Sequence, residues 1–459
     1  MSPLSNTLKA VLFAGFLSIC LKFFLEYPFA YEAPEISQDE FFGAGNVTAD
    51  DKAITEYSIN ITHSAIERFM GLIDRGRSHL IPDFEGPHIQ HEFSSDYLKN
   101  ISDIILKFNW KQHEYFLNTF PQYRTEIEGL RIHFIRAAYP QMYERIYPLL
   151  LIHSWPSTFW EFYKVIPILS NPRRFGFDFG VKTRFAFEVI VPSLPGFGFS
   201  DKPSKRGLGV IEIARILSKL MQRLGLYKYF VHGHGQLGCS TAEAVAILRA
   251  DSVRGLHVGN PSMINFISSQ TVLRQRLHEL LTTFTTFNPS SYLSLSYESD
   301  KRHLLNDFNL IMQHGVYGVS FADSAFALIA FVLDRWALAT DPDYSLNGAT
   351  QLHRFLTVDE LLTNIFVCWL TQTLPHGAHV LANIANHSHM QMFRASINVA
   401  TSVMIGSSSP RQASASSLQR RYHNITRYVT FANNGEFLAL QSPNSFAEDI
   451  YTFVEEIVG

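Results

Sequence analysis

Cysteine is nearly absent from this chain: Cys20, Cys239 and Cys368 are the three in 459 residues. They are too few and too scattered for a disulfide framework or a cysteine-based zinc site, and they fit a reducing compartment. An excess of one charge is also lacking. Lys and Arg number 38 against 41 Asp and Glu, a formal net charge of -3, and no polybasic tract occurs. No nucleic-acid partner is expected from such a surface. There is no internal repeat, and low complexity is confined to "GSSSPRQASASS" (406–417), a loop by composition. The "GFGF" at 196–199 is a lone Gly-rich turn after a strand and makes no nucleotide fingerprint.

Apolar residues are plentiful at 46%, enough for one large core with additions or for two or three compact units. The N-terminus carries the longest apolar run. Ala10 to Leu21 is unbroken between Lys9 and Lys22, and "FFL" follows. With Lys22 snorkelling, Leu8 to Leu25 approaches the roughly 20 residues that span hydrocarbon. No small-x-small cleavage site follows, so residues 1–25 are read as a retained membrane anchor rather than a signal peptide. One Lys on each side leaves its orientation open. Sequons begin at Asn46, Asn60, Asn100, Asn386 and Asn424, the last leading into an expected core strand.

Residues 26–125 read as an arm with helices rather than sheet. In "SDYLKNISDIILKFNWKQHEYFLNTF", Tyr97, Ile101, Ile104, Ile105, Phe108 and Trp110 recur at broadly helical spacing. The character then changes. "LRIHFIRA" (130–137) alternates as a strand does, and "YPLLLIHSWP" (147–156) and "FEVIVPSLPGFGFSD" (187–201) carry continuous apolar runs before Pro and Gly. Such runs between helical stretches predict a parallel sheet buried on both faces. A helix over 211–226, a strand "YKYFV", a helix "TAEAVAILRA" and a strand over 253–259 continue the pattern. Residues 262–395 are mostly helical and aromatic, and read as an inserted cap. Strands return at 396–404 and 425–432 before a closing helix. The expected architecture is an α/β-hydrolase fold: core residues 126–261 and 396–459, helical cap 262–395, N-terminal arm and anchor.

The turn "HGHGQLGCS" (232–240), between strand and helix, sits where hydrolases raise a nucleophile above the sheet. Gln236 is read as the raised residue, and an amide is a poor nucleophile. His234 then stands where a small residue is needed. Cys239 and Ser240 are read as packing and capping at the helix start. His232 and His234 find no third ligand at metal spacing, so no metal is expected. His376, His379, His387 and His389 are read as solvent-facing or hydrogen-bonded, with Pro375 and Gly377 arguing against a helix there. Phe308, Phe321, Phe326 and Phe331 are read as cap packing, some of it lining a lipophilic pocket.

Several segments resemble the microsomal epoxide hydrolases, including the insect juvenile hormone epoxide hydrolases. They are "EIEGLRIHFIRA" (126–137), "HSWPSTFWEFYKVIP" (153–167), "FEVIVPSLPGFGFSDKPSKRG" (187–207), "DELLTNIFVCW" (359–369) and "GEFLALQSPNSFAEDIYTFV" (435–454). The resemblance implies an aspartate nucleophile that opens an epoxide to an alkyl-enzyme ester. It also implies a carboxylate-supported histidine that activates water, and two cap tyrosines that hydrogen-bond the epoxide oxygen. Carried onto this chain, the nucleophile position is Gln236, the base position Glu436 and the supporting acid Gln412. The tyrosine positions are Asn306 and Leu381, and the backbone amides of Trp155 and Leu237 form the oxyanion hole. Ser154 replaces a glycine of the family's His-Gly-Trp-Pro. All the catalytic side chains are altered. The resemblance therefore implies a catalytically inactive family member in the endoplasmic reticulum membrane, without cofactor, binding a lipophilic small molecule or a protein partner. The alternative is an active or residual epoxide hydrolase.

Overall fold

The computed structural model describes residues 15, 36–80, 94–177, 179–180, 184–261, 314–344, 348–383, 392, 395–409, 413 and 415–459. The expected anchor, apart from Gly15, and the first third of the expected cap lie outside these residues. So do Asn306, Gln412, His387, His389, Phe308 and Asn386.

A nine-stranded sheet organises the molecule, in the order β1-β2-β3-β5-β4-β6-β7-β8-β9. The sheet begins earlier than the sequence reading places it, and its first three strands are antiparallel where that reading expects a parallel sheet. β1 (Thr55–Glu56) and β2 (Gln122–Ile127), both starting within the expected arm, pair in front of β3 (Leu130–Ala137). β2 was overlooked because "QYRTEI" alternates without an apolar face strong enough to announce it. The arm's helices are α1 (His63–Gly76), α2 (Ser95–Ile105) and α3 (Trp110–Leu117). The last two share one apolar pattern but are broken where the Asn109 side chain accepts from the Gln112 N–H and starts a new helix.

The parallel part is built from β4 (Arg145–Ile152), β5 (Phe185–Pro192), β6 (Tyr229–His234), β7 (Val253–Gly259), β8 (Thr401–Gly406) and β9 (Ile425–Phe431). β5 also pairs antiparallel with β3 and so joins the two parts. Helices α4 (Val165–Ser170), α5 (Val210–Arg223) and α6 (Gly235–Leu248) cover its faces in the first half. Central strands such as β6 are buried throughout, as a sheet covered on both sides requires. β9 differs from the expected core strand. It forms the sheet's edge, its residues alternate between half-buried and exposed, and Asn424 before it is exposed.

Between β7 and β8 lie the cap helices α7 (His314–Asp323), α8 (Ala325–Thr340), α9 (Val358–Thr371) and α10 (Leu374–Asn383). α10 forms despite Pro375 because its first turn needs no N–H from that position. No single described helix is long and apolar enough to cross a membrane. One pair, α7 and α8, reaches that composition together but is bent by 118°. α8 is instead the core of the cap, with Leu328, Val332 and Trp336 fully buried. The arm packs on α9, where Phe366 meets Phe69 edge-on at 4.8 Å and stacks on Trp110 at 5.5 Å. After β8 come α11 (Ala415–Arg421), α12 (Leu438–Gln441) and α13 (Pro443–Val458).

The cap is fastened to the loop after β4. Pro156 O accepts from Trp336 Nε1 at 3.2 Å and from Asn364 Nδ2 at 3.0 Å, and Trp160 Nε1 donates to Glu360 O at 3.2 Å. The C-terminal end of α8 is held to the turn after β9 by the Glu436 N–H, which donates to Ala339 O at 2.7 Å. These bonds place the segments 153–163, 234–238 and 435–437 at one end of the sheet, where the parallel strands finish and α/β proteins bind their ligands.

Candidate functional site

β6 ends at His234, and the chain turns into α6 through Gly235, whose φ of +58° lies in the left-handed region. That conformation marks the apex of a strand-to-helix turn that lifts one residue above the sheet. The apex is therefore Gly235, one residue before the Gln236 of the sequence reading. The small residues around it agree. A Cβ on Gly233, two residues earlier, would overlap Gly238 O and Ala242 Cβ, and one on Gly238 would fall 2.6 Å from Ile152 O. Gly233 supplies the close strand–helix approach, so His234 need not be small. Its ring is buried and stacks on Phe437 at 5.9 Å.

Gly235 carries no side chain toward the site. A Cβ built there would lie 2.5 Å from Ser154 Oγ and 3.7 Å from Glu436 Oε2. The hydroxymethyl of Ser154 thus occupies the space beside the apex, and a carboxylate faces the same point from the turn after β9. Glu436 is 4% exposed, and its Oε1 accepts from Ser409 Oγ at 3.1 Å. Glu436, the base position of the sequence reading, thus lies beside Gly235.

A second carboxylate, missed in the sequence, lies behind Ser154. Glu161 is 1% exposed, and its Oε2 accepts from the Ser154 N–H at 3.3 Å. Burial pushes its carboxyl up to about 8; the Glu436 charge adds to this, while hydrogen bonding from Ser157 and Ser154 opposes it. Its signal in the sequence is a lone Glu among the aromatics of "STFWEFY", a place where a charge needs a reason.

His153, just past β4, is neutral. Leu194 N–H donates to its Nε2 at 3.2 Å, so Nδ1 bears the proton and donates to Ser154 O at 2.8 Å. Burial pushes its pKa down to about 4. Trp155 follows, its ring 5.2 Å from that of Phe331 on α8. Gln236 is 6% exposed and begins the first turn of α6, while Leu237 is fully buried. Leu381, on α10, is packed into the apolar cluster with Leu194, Phe197 and Val210 and offers no polar atom. Asn306 and Gln412 lie outside the described residues.

The other candidates resolve as packing. The Cys239 thiol lies 3.2 Å from both Gly233 O and Gly259 O, and burial holds it well above the usual thiol range. Ser240 is buried within α6. His376 is not solvent-facing: its ring sits where a Cβ on Gly196 would be and lies 6.0 Å from that of Phe197. Burial pushes it down to about 4, with His379 and Lys202 adding to the shift. His379, one turn on, is exposed. No group of three or more metal-capable side chains is found among the described residues.

His232 is engaged elsewhere. Its Nδ1 lies 2.8 Å from His257 Nδ1, His257 Nε2 is 3.0 Å from Asp449 Oδ2, and Arg427 Nε donates to Asp449 Oδ1 at 2.6 Å. This line runs beneath the site from β6 through β7 to α13. Burial, with the charges of His257 and His234, holds His232 well below its usual 6.5. His133, at about 3, His153 and His376 share the same direction. Each ring stays neutral when folded but takes a proton when unfolded below about 6.5, so stability falls as the pH drops through that value. The limiting slope is ~1.4 kcal/mol per pH unit for each ring. Urea midpoints taken from pH 7.5 to 5 should therefore decline steadily, and a flat profile would contradict this burial.

Comparison with known proteins bears on the sequence and the fold. A family model described as "Epoxide hydrolase N terminus" covers residues 54–162, and one described as "alpha/beta hydrolase fold" covers 147–290. Epoxide hydrolase 1 of Sus scrofa is 30% identical over 438 residues, 91% of this chain and 92% of its own length. Juvenile hormone epoxide hydrolase 1 of Ctenocephalides felis is 29% identical, covering 98% of this chain and 95% of its own. The crystal structure of juvenile hormone epoxide hydrolase from Bombyx mori superposes with a TM-score of 0.82 at 25% identity, over 92% of this chain and 99% of that one. From its two matched segments, its sheet and its near full-length relatives, the chain belongs to the epoxide hydrolase family.

Proposed function

We propose that this family member has lost epoxide hydrolysis and binds a lipophilic small molecule without turning it over. One observation carries the reading: the apex residue is Gly235, which has no atom able to attack an epoxide carbon. The shift of the apex from Gln236 to Gly235 strengthens the case, since glutamine could be hydrolysed to a carboxylate and glycine cannot. It also makes Gln236, rather than Leu237, the residue after the apex, whose N–H joins that of Trp155 in the oxyanion position. Glu436 replaces the imidazole that would activate water, and Leu381 has no hydroxyl for the epoxide oxygen. The apolar run at 8–25 supports anchoring of the chain in the endoplasmic reticulum membrane, as in the microsomal members it resembles.

The test is single-turnover hydrolysis of trans-stilbene oxide by the purified full-length chain. Diol should form no faster than in buffer, and no covalent adduct should appear by mass spectrometry. Turnover, or an adduct on any residue, would overturn the reading in favour of an active or residual epoxide hydrolase.

A further inference from the structure

Ile152 of β4 pairs with Gly233 of β6. Trp155 and Gln236 each stand three residues beyond that pair, at the same end of two adjacent parallel strands. Both bear a buried nitrogen without a hydrogen-bond partner, Trp155 Nε1 and Gln236 Nε2. A third such nitrogen, His376 Nε2, belongs to α10. Trp155 Nε1 and the Phe197 ring both crowd the Cβ position of Gly377, the residue after His376 on α10. A buried N–H left unpaired costs about 1–3 kcal/mol, so such atoms are rarely gathered together without a use.

Trp155 Nε1–H and Gln236 Nε2–H can only donate. They are neutral donors, and the buried carboxyl groups of Glu161 and Glu436 stand beside Ser154 and Gly235, the residues just before them. The Glu436 charge would disfavour an anion there, while burial keeps Glu161 protonated near neutrality; an uncharged acceptor oxygen meets no such repulsion. Phe197 and Phe331 add apolar wall.

We propose that Trp155 and Gln236 form a two-donor site that holds the acceptor oxygen of a neutral lipophile (an epoxide, ether or carbonyl oxygen) in the intact molecule. The site rests on the lipophile-binding reading above and adds to it the atoms that recognise the ligand. The donors belong to residues flanking the vacant apex, so recognition outlives the chemistry.

Two probes of nearly the same shape test it: trans-stilbene oxide and trans-1,2-diphenylcyclopropane, which has carbon where the first has oxygen. Calorimetric titration of the full-length chain should show the oxide binding about tenfold more tightly, the effect of roughly one buried hydrogen bond. Trp155→Phe and Gln236→Leu should each reduce that preference and the double variant abolish it, with circular dichroism reporting that the variants fold. Equal binding of the two probes by the natural chain would overturn the two-donor site and leave the pocket standing, with water satisfying the donors. A preference that survives both substitutions would overturn it too. If neither probe binds, the lipophile-binding reading falls and takes the site with it. Should a variant fail to fold, the comparison of probes on the natural chain decides alone.

Discussion

Treated with trans-stilbene oxide, the chain carrying Gly235→Asp and Ser154→Gly gains the mass of one epoxide, while the natural chain keeps its own mass. The carboxylate oxygen introduced at the apex attacks an epoxide carbon, the carbon–oxygen bond of the ring breaks, and the alkoxide takes a proton from water, leaving a hydroxyalkyl ester. Ser154 is changed as well to make room, because its Oγ lies 2.5 Å and its Cβ 3.1 Å from where the new Cβ would be. Glu436 is a poorer base for the ester-cleaving water than an imidazole with a pKa near neutrality, so the ester persists. Adding Glu436→His converts the adduct to slow turnover. On the proposed loss of the cap hydroxyls, the rate stays about 10²–10⁴-fold below that of a complete site. The natural chain should lie lower still, since removal of a nucleophile costs on the order of 10⁶ in a well-studied hydrolase. Intact-mass spectrometry and peptide mapping decide the matter. Alkylation at a residue other than Asp at 235 would show that the pocket offers a different nucleophile.

A loss of about 3–5 kcal/mol is expected for Glu243→Ala, the cost of stranding a buried guanidinium. Glu243 Oε2 takes Arg421 Nη2 at 2.6 Å and Nε at 3.1 Å, and its Oε1 accepts the Tyr422 hydroxyl at 2.6 Å. Arg421, at 1% exposure, also donates to the backbone oxygens of Ala395 and Met392. The cluster ties α6, which carries the apex at its start, to the segment by which the chain re-enters the sheet after the cap. Glu243→Gln keeps the shape and some of the bonds and should cost less. Urea unfolding of both variants beside the natural chain measures this, and a change under 1 kcal/mol for the alanine variant would refute the linkage.

The parts of the fold legible in the sequence were those where one physical pattern dominates. β3 and β7 coincide with their expected spans because each apolar run is bounded by turn residues. β1 and β2 were hidden by polar alternation, and the break between α2 and α3 by an Asn that looks innocuous until it caps. At the site, the motifs around Glu436 and Trp155 suffice to place both residues near the end of the sheet, and their roles rest on the resemblance. The positive φ falls on Gly235, one residue before the Gln236 of the sequence reading, because two Gly-x pairs in "GHGQLG" allow either register. Gly233, packed against Gly238 O, is the mark that would have fixed the register. The line His232–His257–Asp449 depends on contacts between distant segments, which no local spacing reveals, whereas the only mark of Glu161 is a lone charge among aromatics.

The hydroxyl of Ser154 beside Gly235 also bears on the history of the chain. An aspartate regained at the apex alone would collide with that side chain, and a glycine regained at 154 alone would restore no chemistry. Neither single reversal offers selection anything to retain. On the proposed loss of hydrolysis, glycine at 235 and serine at 154 together act as a ratchet, each making reversal of the other less rewarding.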